Sequence, residues 1–275
     1  MKISFMTLGC PKWDLDIICR RGREYGFDGV DFRGYLDAID ITTLPMFTSG
    51  VVATRRQLDE AGLAVSAVSS SINVCAADRR EANLEEARRT IPVARALGAQ
   101  NVRIFGGGDL AANSREELAK IGRECIEAIL NLDGAQELHW LFETHDLWIK
   151  STDCTLLLDA IPNPAFGALW DMGHTSRVGG EKPADTYAAI GKRVGYTHVK
   201  DAAYAPQHPQ AMQDGWRYVF PGTGVLPLAE SIHLLKANGY EGWVQFEHEK
   251  RWHPDLAEPE EIFPAFVQWV RGVLA

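Results

Sequence analysis

The sequence lacks an excess of positive charge, a long apolar run and a paired-cysteine motif. Its 28 Lys and Arg residues are outnumbered by 37 Asp and Glu residues, which gives a formal charge of −9. Proteins that bind the phosphate backbone of nucleic acids need clustered Lys and Arg, so the composition argues against a nucleic-acid partner. No apolar stretch approaches the ~18 residues of a transmembrane helix, which excludes a membrane span and predicts no membrane partner.

The five cysteines, at positions 10, 19, 75, 125 and 154, form no Cys-x-x-Cys pair, and their odd number leaves one unpaired. Reduced thiols in a cytoplasmic protein account for this most simply. The first nine residues are too short and too polar for a signal peptide and instead predict a first strand. We therefore expect a cytoplasmic protein.

Strand-like and helix-like patterns alternate along the whole chain, without a linker or a break in composition. Hydrophobic residues make up 46% of the sequence, enough for a large core. About eight strand–helix units in 275 residues predict an α/β fold, a single (β/α)8 TIM barrel with one domain over 1–275. The predicted strands are 3–7, 29–32, 64–68, 101–105, 139–143, 168–171, 194–198 and 243–247, and the predicted helices lie near 12–25, 51–61, 83–97, 114–131, 152–160, 184–192, 225–238 and 258–273.

Two of these helices carry local signals. Ser114 followed by Glu117 is a capping box, which predicts a helix beginning at that point. Pro92 lies inside the apolar pattern of 83–97 and predicts a kink or a break in that helix. The segment 204–224 makes the unit before the last strand longer than the others, and long loops on this face of a barrel shape the substrate pocket.

Four of the predicted strands end in a residue that can bind a metal. These residues are Glu143, Asp171, His198 and Glu247, and the first two intervals between them are 28 and 27 residues. A strand, a helix and two loops need about that length, and the C-terminal strand ends of a TIM barrel converge on one face. The sequence therefore predicts that the four side chains meet around one divalent cation.

The chemistry of this set supports a metal over isolated ion pairs. Any one of these residues alone is more simply explained by a buried salt bridge. Three carboxylates in one pocket repel one another strongly without a cation, which favours a metal for the set of four. Three carboxylates and an imidazole suit Mn²⁺, Mg²⁺, Co²⁺ or Fe²⁺ better than structural zinc.

Further polar residues follow the same strands. His145 and Lys200 each lie two residues beyond a predicted ligand, which places them on the ligand's face of a continuing strand. His174 follows Asp171 by three residues, in the turn that leaves the strand. These side chains are candidates for acid–base catalysis or substrate binding, and the alternative is that they orient a ligand.

Weaker signals leave an anion site open. Arg33, Arg177 and Arg217 follow predicted strands and could contact an anionic group or form surface ion pairs. The glycine clusters 106–108 and 222–224 could cradle a phosphate, although loop turning is the commoner role of short glycine clusters.

Taken together, the motifs resemble the sugar phosphate isomerase/epimerase family, the xylose isomerase-like TIM barrels. The resemblance spans nearly the whole chain and is strongest after Glu143. It rests on Glu143-Thr144-His145, Asp171-Met172-Gly173-His174, His198-Val199-Lys200-Asp201, Pro221-Gly222-Thr223-Gly224 and Phe246-Glu247.

This resemblance implies one divalent metal, Mn²⁺ first and Mg²⁺, Co²⁺, Fe²⁺ or Zn²⁺ as alternatives, held by Glu143, Asp171, His198 and Glu247. It also implies that the two glutamates exchange protons with the substrate and that His174 contacts a substrate oxygen. His145 and His174 would serve as catalytic residues, and His174 also as a substrate-binding residue. From their positions after predicted strands, we expect Lys200 and Arg217 to bind substrate as well. The implied substrate is a small carbohydrate.

The implied reaction is isomerisation or epimerisation of a keto sugar or related polyol. A proton is removed alpha to a carbonyl, and the metal stabilises the resulting enediolate. Expulsion of a β-oxygen substituent from the same intermediate would give a dehydratase or lyase acting on an inosose or 3-dehydroshikimate, and the motifs do not separate the two. We favour the isomerase or epimerase because no feature of the chain demands elimination.

Two other functions are disfavoured. Endonuclease IV, a DNA-repair member with three zinc ions, needs histidines on earlier strands, whereas all eight histidines here fall at or after position 139. A metal-free binding protein would be expected to lose some ligand positions, yet all four are present. The oligomeric state stays open, and the dimers and tetramers among relatives are compatible with a homo-oligomer.

Overall fold

Eight parallel strands close into a barrel in a computed structural model that describes residues 1–275. Around the barrel the strands follow one another in chain order, and β10 closes the ring between β7 and β1. This confirms the predicted (β/α)8 TIM barrel. The barrel strands are β1 Lys2–Met6, β2 Gly29–Phe32, β3 Ala64–Asn73, β4 Asn101–Phe105, β5 His139–Glu143, β6 Phe166–Asp171, β7 Val194–Val199 and β10 Trp243–Phe246.

The helices surround the barrel close to their predicted positions. The capping box at Ser114 is present: its hydroxyl accepts from Glu117 N, and the Glu117 side chain accepts from Ser114 N. No helix combines the length and the apolar character needed to cross a membrane. The helices are α1 Leu15–Tyr25, α2 Val51–Ala61, α3 Arg80–Leu97, α4 Arg115–Leu130, α5 Ser151–Ala160, α6 Met172–Arg177, α7 Pro183–Ile190, α8 Leu228–Ala237 and α9 Pro259–Leu274.

Local structure differs from the sequence prediction in three places. Helix α3 runs through Pro92 without a break, because Ile91, Val93 and Ala94 around it are buried in the core and offset the lost backbone hydrogen bond. The expected turn after Asp171 is the short helix α6, whose first turn the Asp171 carboxylate caps by accepting from His174 N. The long segment 204–224 includes part of an antiparallel hairpin, β8 Asp201–Tyr204 and β9 Trp216–Val219.

The core lies mainly between the barrel and its helices. The outward side chain of Phe246, for example, stacks on Phe266 of α9 with the ring centroids 4.5 Å apart. A separate small cluster of Ala67, Leu141, Leu169 and Tyr196 fills the lower barrel interior. On β5 the inward side chain of Leu141 is followed, two residues later, by that of Glu143, and Arg103 of β4 lies beside Leu141 in the strand register. The interior therefore turns polar toward the C-terminal strand ends. The C-terminal mouth of the barrel is thus polar and buried, and it lies above the apolar interior cluster.

All five cysteines are unpaired and buried. Burial, together with the charge of Asp16, raises the pKa of Cys19 to about 11. We expect native protein at pH 8 to react with iodoacetamide about 100-fold more slowly than urea-unfolded protein, because the thiolate is the reacting form. Mass spectrometry of the labelled chain measures this. Rapid labelling of several cysteines in the folded state would contradict the buried arrangement.

Candidate metal centre

Four barrel strands bring one side chain each to the same level of the mouth. Glu143 and Asp171 are the last residues of β5 and β6, His198 lies one residue before the end of β7, and Glu247 directly follows β10. In the parallel register Asp171 lies beside His198. The four residues are far apart in the chain, but adjacent strand ends place them around one point.

The four side chains form one compact, buried cluster. Each offers a ligand atom within 4.8 Å of the ligand atoms of the others. His198 Nδ1 lies 3.3 Å from Glu143 Oε1 and 3.4 Å from Glu247 Oε1. The imidazole is therefore flanked by the two glutamates, with Asp171 completing the set.

Charge within this cluster is balanced by neighbouring cations. Burial by itself would lower the pKa of His198, but the charges of Glu247 and Glu143 outweigh it and raise that pKa to about 10. Burial and Glu247 act to raise the pKa of Glu143, yet His198 and Arg103 hold it below its usual range. Burial raises the pKa of Asp171 to about 6, against the lowering effect of Lys200. The carboxylates thus depend on positive charge held close to them.

A divalent cation fits this donor set. Asp171 Oδ2 is fully buried, with Lys200 Nζ 2.9 Å and His174 Nδ1 3.2 Å away. The carboxylates of Glu143, Asp171 and Glu247 converge with His198 to within 4.8 Å, and a divalent cation between them would offset their mutual repulsion. Three carboxylates and an imidazole are the hard donors that suit Mn²⁺ or Mg²⁺.

The family profile of the xylose isomerase-like TIM barrel matches residues 19–272, nearly the whole chain. The chain belongs to this family. The sequence has no significant match among curated proteins.

Solved structures share this fold at low sequence identity. The probable 3-DHS dehydratase AsbF from Bacillus anthracis is 17% identical with a TM-score of 0.79, and the match covers 98% of this chain and 99% of that one. The 3-keto-D-glucoside 4-epimerase YcjR from E. coli is 16% identical with a TM-score of 0.75, and the match covers 99% of each chain. A xylose isomerase-like TIM barrel protein from Mycobacterium smegmatis, solved in complex with magnesium, is 18% identical with a TM-score of 0.69, covering 99% of this chain and 96% of that one. At these identities the likeness shows the fold alone.

In this xylose isomerase-like barrel, Lys200 lies inside the cluster. Its ammonium group pairs with Asp171, Glu247 and Glu249, the last at 2.9 Å. Burial opposes its charge, but these carboxylates raise the pKa of Lys200 above its usual value. The hydroxyl of Tyr218 donates to Glu249 Oε1 at 2.9 Å, so the hairpin β8–β9 closes this side of the site.

The two histidines predicted as catalytic lie together beside Glu143. The rings of His145 and His174 are 4.7 Å apart and perpendicular, and Asp146 Oδ1 lies 2.6 Å from His145 Nδ1. This leaves the other nitrogen of His145 free. Burial, reinforced by the charge of Lys200, lowers the pKa of His174 to about 3, so its imidazole is neutral.

Arg217 is not brought to this cluster. It is the neighbour of Tyr218 on β9, and successive side chains of a strand point to opposite faces, so Arg217 points away from Lys200. It lines a cavity with Tyr218 and His248, and this cavity includes none of the four metal-binding residues. Arg177 pairs with Asp214 at the tip of the hairpin and is not free to bind an anion there.

The Gly222–Gly224 turn offers no anion site, and packing accounts for a glycine at position 106. The amides of Gly222 and Gly224 both donate to Asp201 Oδ2, at 2.8 and 3.0 Å, so the Asp201 carboxylate occupies the place that a phosphate would take. Gly106 is required by packing, because a Cβ there would lie 2.1 Å from Trp148 Cδ1. Loop turning and close packing account for both clusters.

Arg103 is a site residue that the sequence reasoning missed. It is 3% exposed, and its Nε lies 3.4 Å from Glu143 Oε2. The signal available in the sequence was a charged residue in the middle of the apolar strand 101–105. A buried charge in such a strand needs a partner, and here the partner is a residue of the metal-binding cluster.

Proposed function

We propose that this protein is a divalent-metal-dependent isomerase or epimerase that acts on a keto sugar or related polyol. Glu143, Asp171, His198 and Glu247 would hold the metal, with Mn²⁺ as the first candidate. The observation that carries the proposal is the pair of buried glutamates on either side of His198 Nδ1, at 3.3 and 3.4 Å. Two carboxylates around one position can serve as two bases for one substrate.

A bound metal would supply a Lewis acid that makes the proton alpha to a substrate carbonyl easier to remove. One of the two glutamates, Glu143 or Glu247, then removes that proton. In epimerisation the other glutamate, which enters the step protonated, delivers its proton to the opposite face of the same carbon. In isomerisation the first glutamate delivers the proton to the neighbouring carbon, which bore the carbonyl, and the hydroxyl proton of the deprotonated carbon moves to the former carbonyl oxygen. Both carboxylates are buried, which keeps bulk water from competing for the proton.

The surrounding residues suit substrate oxygens. His174 is neutral, and its Nδ1 lies 3.2 Å from Asp171 Oδ2, which leaves the other ring nitrogen to bind a substrate hydroxyl. The Lys200 ammonium, already held by Asp171 and Glu247, is placed to neutralise charge that develops on a substrate oxygen. Arg217 has no part in this proposal because it points away from the cluster.

Proton NMR in D₂O tests the proposed reaction. The protein, stripped with EDTA and reloaded with Mn²⁺, is incubated with a panel of ketoses, inososes and 3-keto sugars. The metal is removed from the finished reaction before the spectrum is recorded. We expect the spectrum to show deuterium at the carbon next to the carbonyl and signals of a new sugar. Failure of Mn²⁺ to bind would overturn the proposal, whereas silence with the metal bound would reject the substrates in the panel.

A dehydratase or lyase is the second candidate, and the position of His145 favours it. One of its ring nitrogens belongs to a group of ligand atoms from Glu143, His145 and His174 that lie within 4.8 Å of one another. An acid beside the base is what expulsion of a β-oxygen requires. In the NMR experiment, a new vinylic or enone signal would identify this reaction.

Replacing His145 by Ala separates the two candidates further. We expect a loss of about 10²–10⁴-fold in kcat for a dehydratase, because elimination loses its proton donor. An epimerase that relies on the two glutamates should lose far less. Turnover of the substrate found by NMR is the measurement, and near-normal activity of His145→Ala would count against the dehydratase.

A further inference from the structure

Two arginines lie at the barrel mouth, on or next to strands that supply no metal ligand. Arg103 is on β4 and is buried, and Arg33 directly follows β2 and is half-buried. The four metal-binding residues come from β5, β6, β7 and β10. Arg33 lies two residues beyond Asp31, which faces the interior, so it continues on the inward face. The arginines therefore line the half of the mouth that supplies no predicted ligand, and Arg103 borders Glu143.

The guanidinium of Arg103 is part of the wall of the site. Its Cζ lies 4.0 Å from the centre of the Phe105 ring, and that ring is 5.1 Å from the ring of His145. Its Nη1 donates to Ser70 O at 2.9 Å, and its Nε faces Glu143 Oε2 at 3.4 Å. A guanidinium has five N–H donors, so Nη2 and the second hydrogen of Nη1 retain capacity for an anionic partner.

Arg33 has even fewer partners. Its Nη1 donates to Ser71 Oγ at 2.9 Å, which is one of the five hydrogen bonds that a guanidinium can donate. No carboxylate forms an ion pair with it, and the nearby carboxylate of Asp31 accepts hydrogen bonds from Ser69. Burial and the charge of Arg103 lower the pKa of Arg33 to about 10, so two cations repel each other here.

We propose that Arg33 and Arg103 bind an anionic group of the substrate, a carboxylate or a phosphate, while the opposite half of the mouth holds the reacting carbonyl. The planar guanidinium matches the oxygens of both groups. The amides of the Gly222–Gly224 turn are not available for this purpose, because Asp201 occupies them. This inference rests on the proposed function for the reacting end of the substrate, and it narrows the substrate class to sugar acids or sugar phosphates.

Three ligands with one carbon skeleton test the proposal: sorbitol, gluconate and sorbitol 6-phosphate. Isothermal titration calorimetry gives Kd for each, with Mn²⁺-loaded and with metal-free protein. We expect the preferred anion to bind about 10- to 100-fold more tightly than sorbitol, the gain expected from hydrogen bonds to a charged group. Preference for gluconate identifies a carboxylate, and preference for sorbitol 6-phosphate identifies a phosphate.

Variants assign the preference to the arginines. Arg33→Gln should reduce the preference for the anion over sorbitol to within about twofold. It should leave the Kd for sorbitol and for Mn²⁺ unchanged, since Arg33 contacts no metal-binding residue. Arg33→Lys should keep part of the preference. Arg103→Gln should also reduce the preference for the anion. It should weaken Mn²⁺ binding as well, because Arg103 contacts the metal-binding residue Glu143. Arg95→Gln, which removes a surface ion pair with Glu137, is the control and should behave as the parent protein.

Equal binding of the three ligands, or no measurable binding of either anion, would overturn the proposal, as would a preference that survives in Arg33→Gln. The Mn²⁺ titration is a separate measurement. Absence of Mn²⁺ binding together with an anion preference lost in Arg33→Gln would leave the anion site standing and reject the proposed metal-dependent reaction instead.

Discussion

Glu247→Gln and Glu143→Gln should each lower kcat/KM by about 10³-fold or more. Loss of a positioned base alone costs about 10²–10⁴-fold. Each change also removes a negative charge from the predicted metal site while nearly preserving the size and shape of the side chain. Glu247 lies against both His198 and Lys200, so its replacement also removes one of the carboxylates that each of these side chains contacts. Mn²⁺ affinity should fall together with turnover.

Calorimetry with Mn²⁺ and turnover of the substrate found by NMR measure the two effects, and circular dichroism checks the fold. Glu127→Gln is a suitable control, since Glu127 is half exposed and pairs only with Arg123 on the surface of α4. Its activity and Mn²⁺ affinity should match those of the parent protein. Full activity in either Glu143→Gln or Glu247→Gln would reject the proposed mechanism.

Lys200→Met should destabilise the metal-free protein by about 3–5 kcal/mol, the cost of breaking a buried ion pair by removing one partner. The Lys200 ammonium is 4% exposed and lies against three carboxylates, those of Asp171, Glu247 and Glu249. Without it these acids are buried with too little positive charge. Saturating Mn²⁺ supplies two positive charges at Asp171 and Glu247, so it should stabilise Lys200→Met more than it stabilises the parent protein.

Urea unfolding with EDTA and with Mn²⁺ measures the free energy of unfolding in both states. Lys250→Met provides a matched control, because Lys250 is also buried but pairs with the exposed Glu258 and with the backbone oxygens of Pro254 and Leu256, not with the metal-binding cluster. That variant should lose stability, and Mn²⁺ should not restore it beyond the gain of the parent. If Mn²⁺ stabilised Lys200→Met no more than the parent, the result would contradict the proposed role of Lys200 in balancing the negative charge of the cluster.

The barrel and the four converging side chains were accessible from the sequence for a physical reason. Alternation of buried strands with amphipathic helices is a local pattern, and it sets the fold class. A parallel barrel then requires its strands to end on one face, so Glu143, Asp171, His198 and Glu247 could be placed together from their positions at strand ends.

Details that depend on local backbone energetics were less accessible. Pro92 predicted a kink or a break, yet α3 continues through it because tertiary packing outweighs one lost hydrogen bond. The short helix α6 is favoured by the Asp171 cap, a contact that the sequence permits but does not require. Propensity is a weak guide where burial or a single cap decides the conformation.

What the sequence determined by itself is the barrel and the identity of the residues at its strand ends, because both follow from periodicity along the chain. Tertiary structure alone decided which further polar side chains join these residues at the mouth. The register of β4 against β5 turns Arg103 toward Glu143, and the alternation within the hairpin sends Tyr218 toward Lys200 and Arg217 away. Such directions depend on pairing between segments distant in the chain, where a shift of one residue would reverse every side chain.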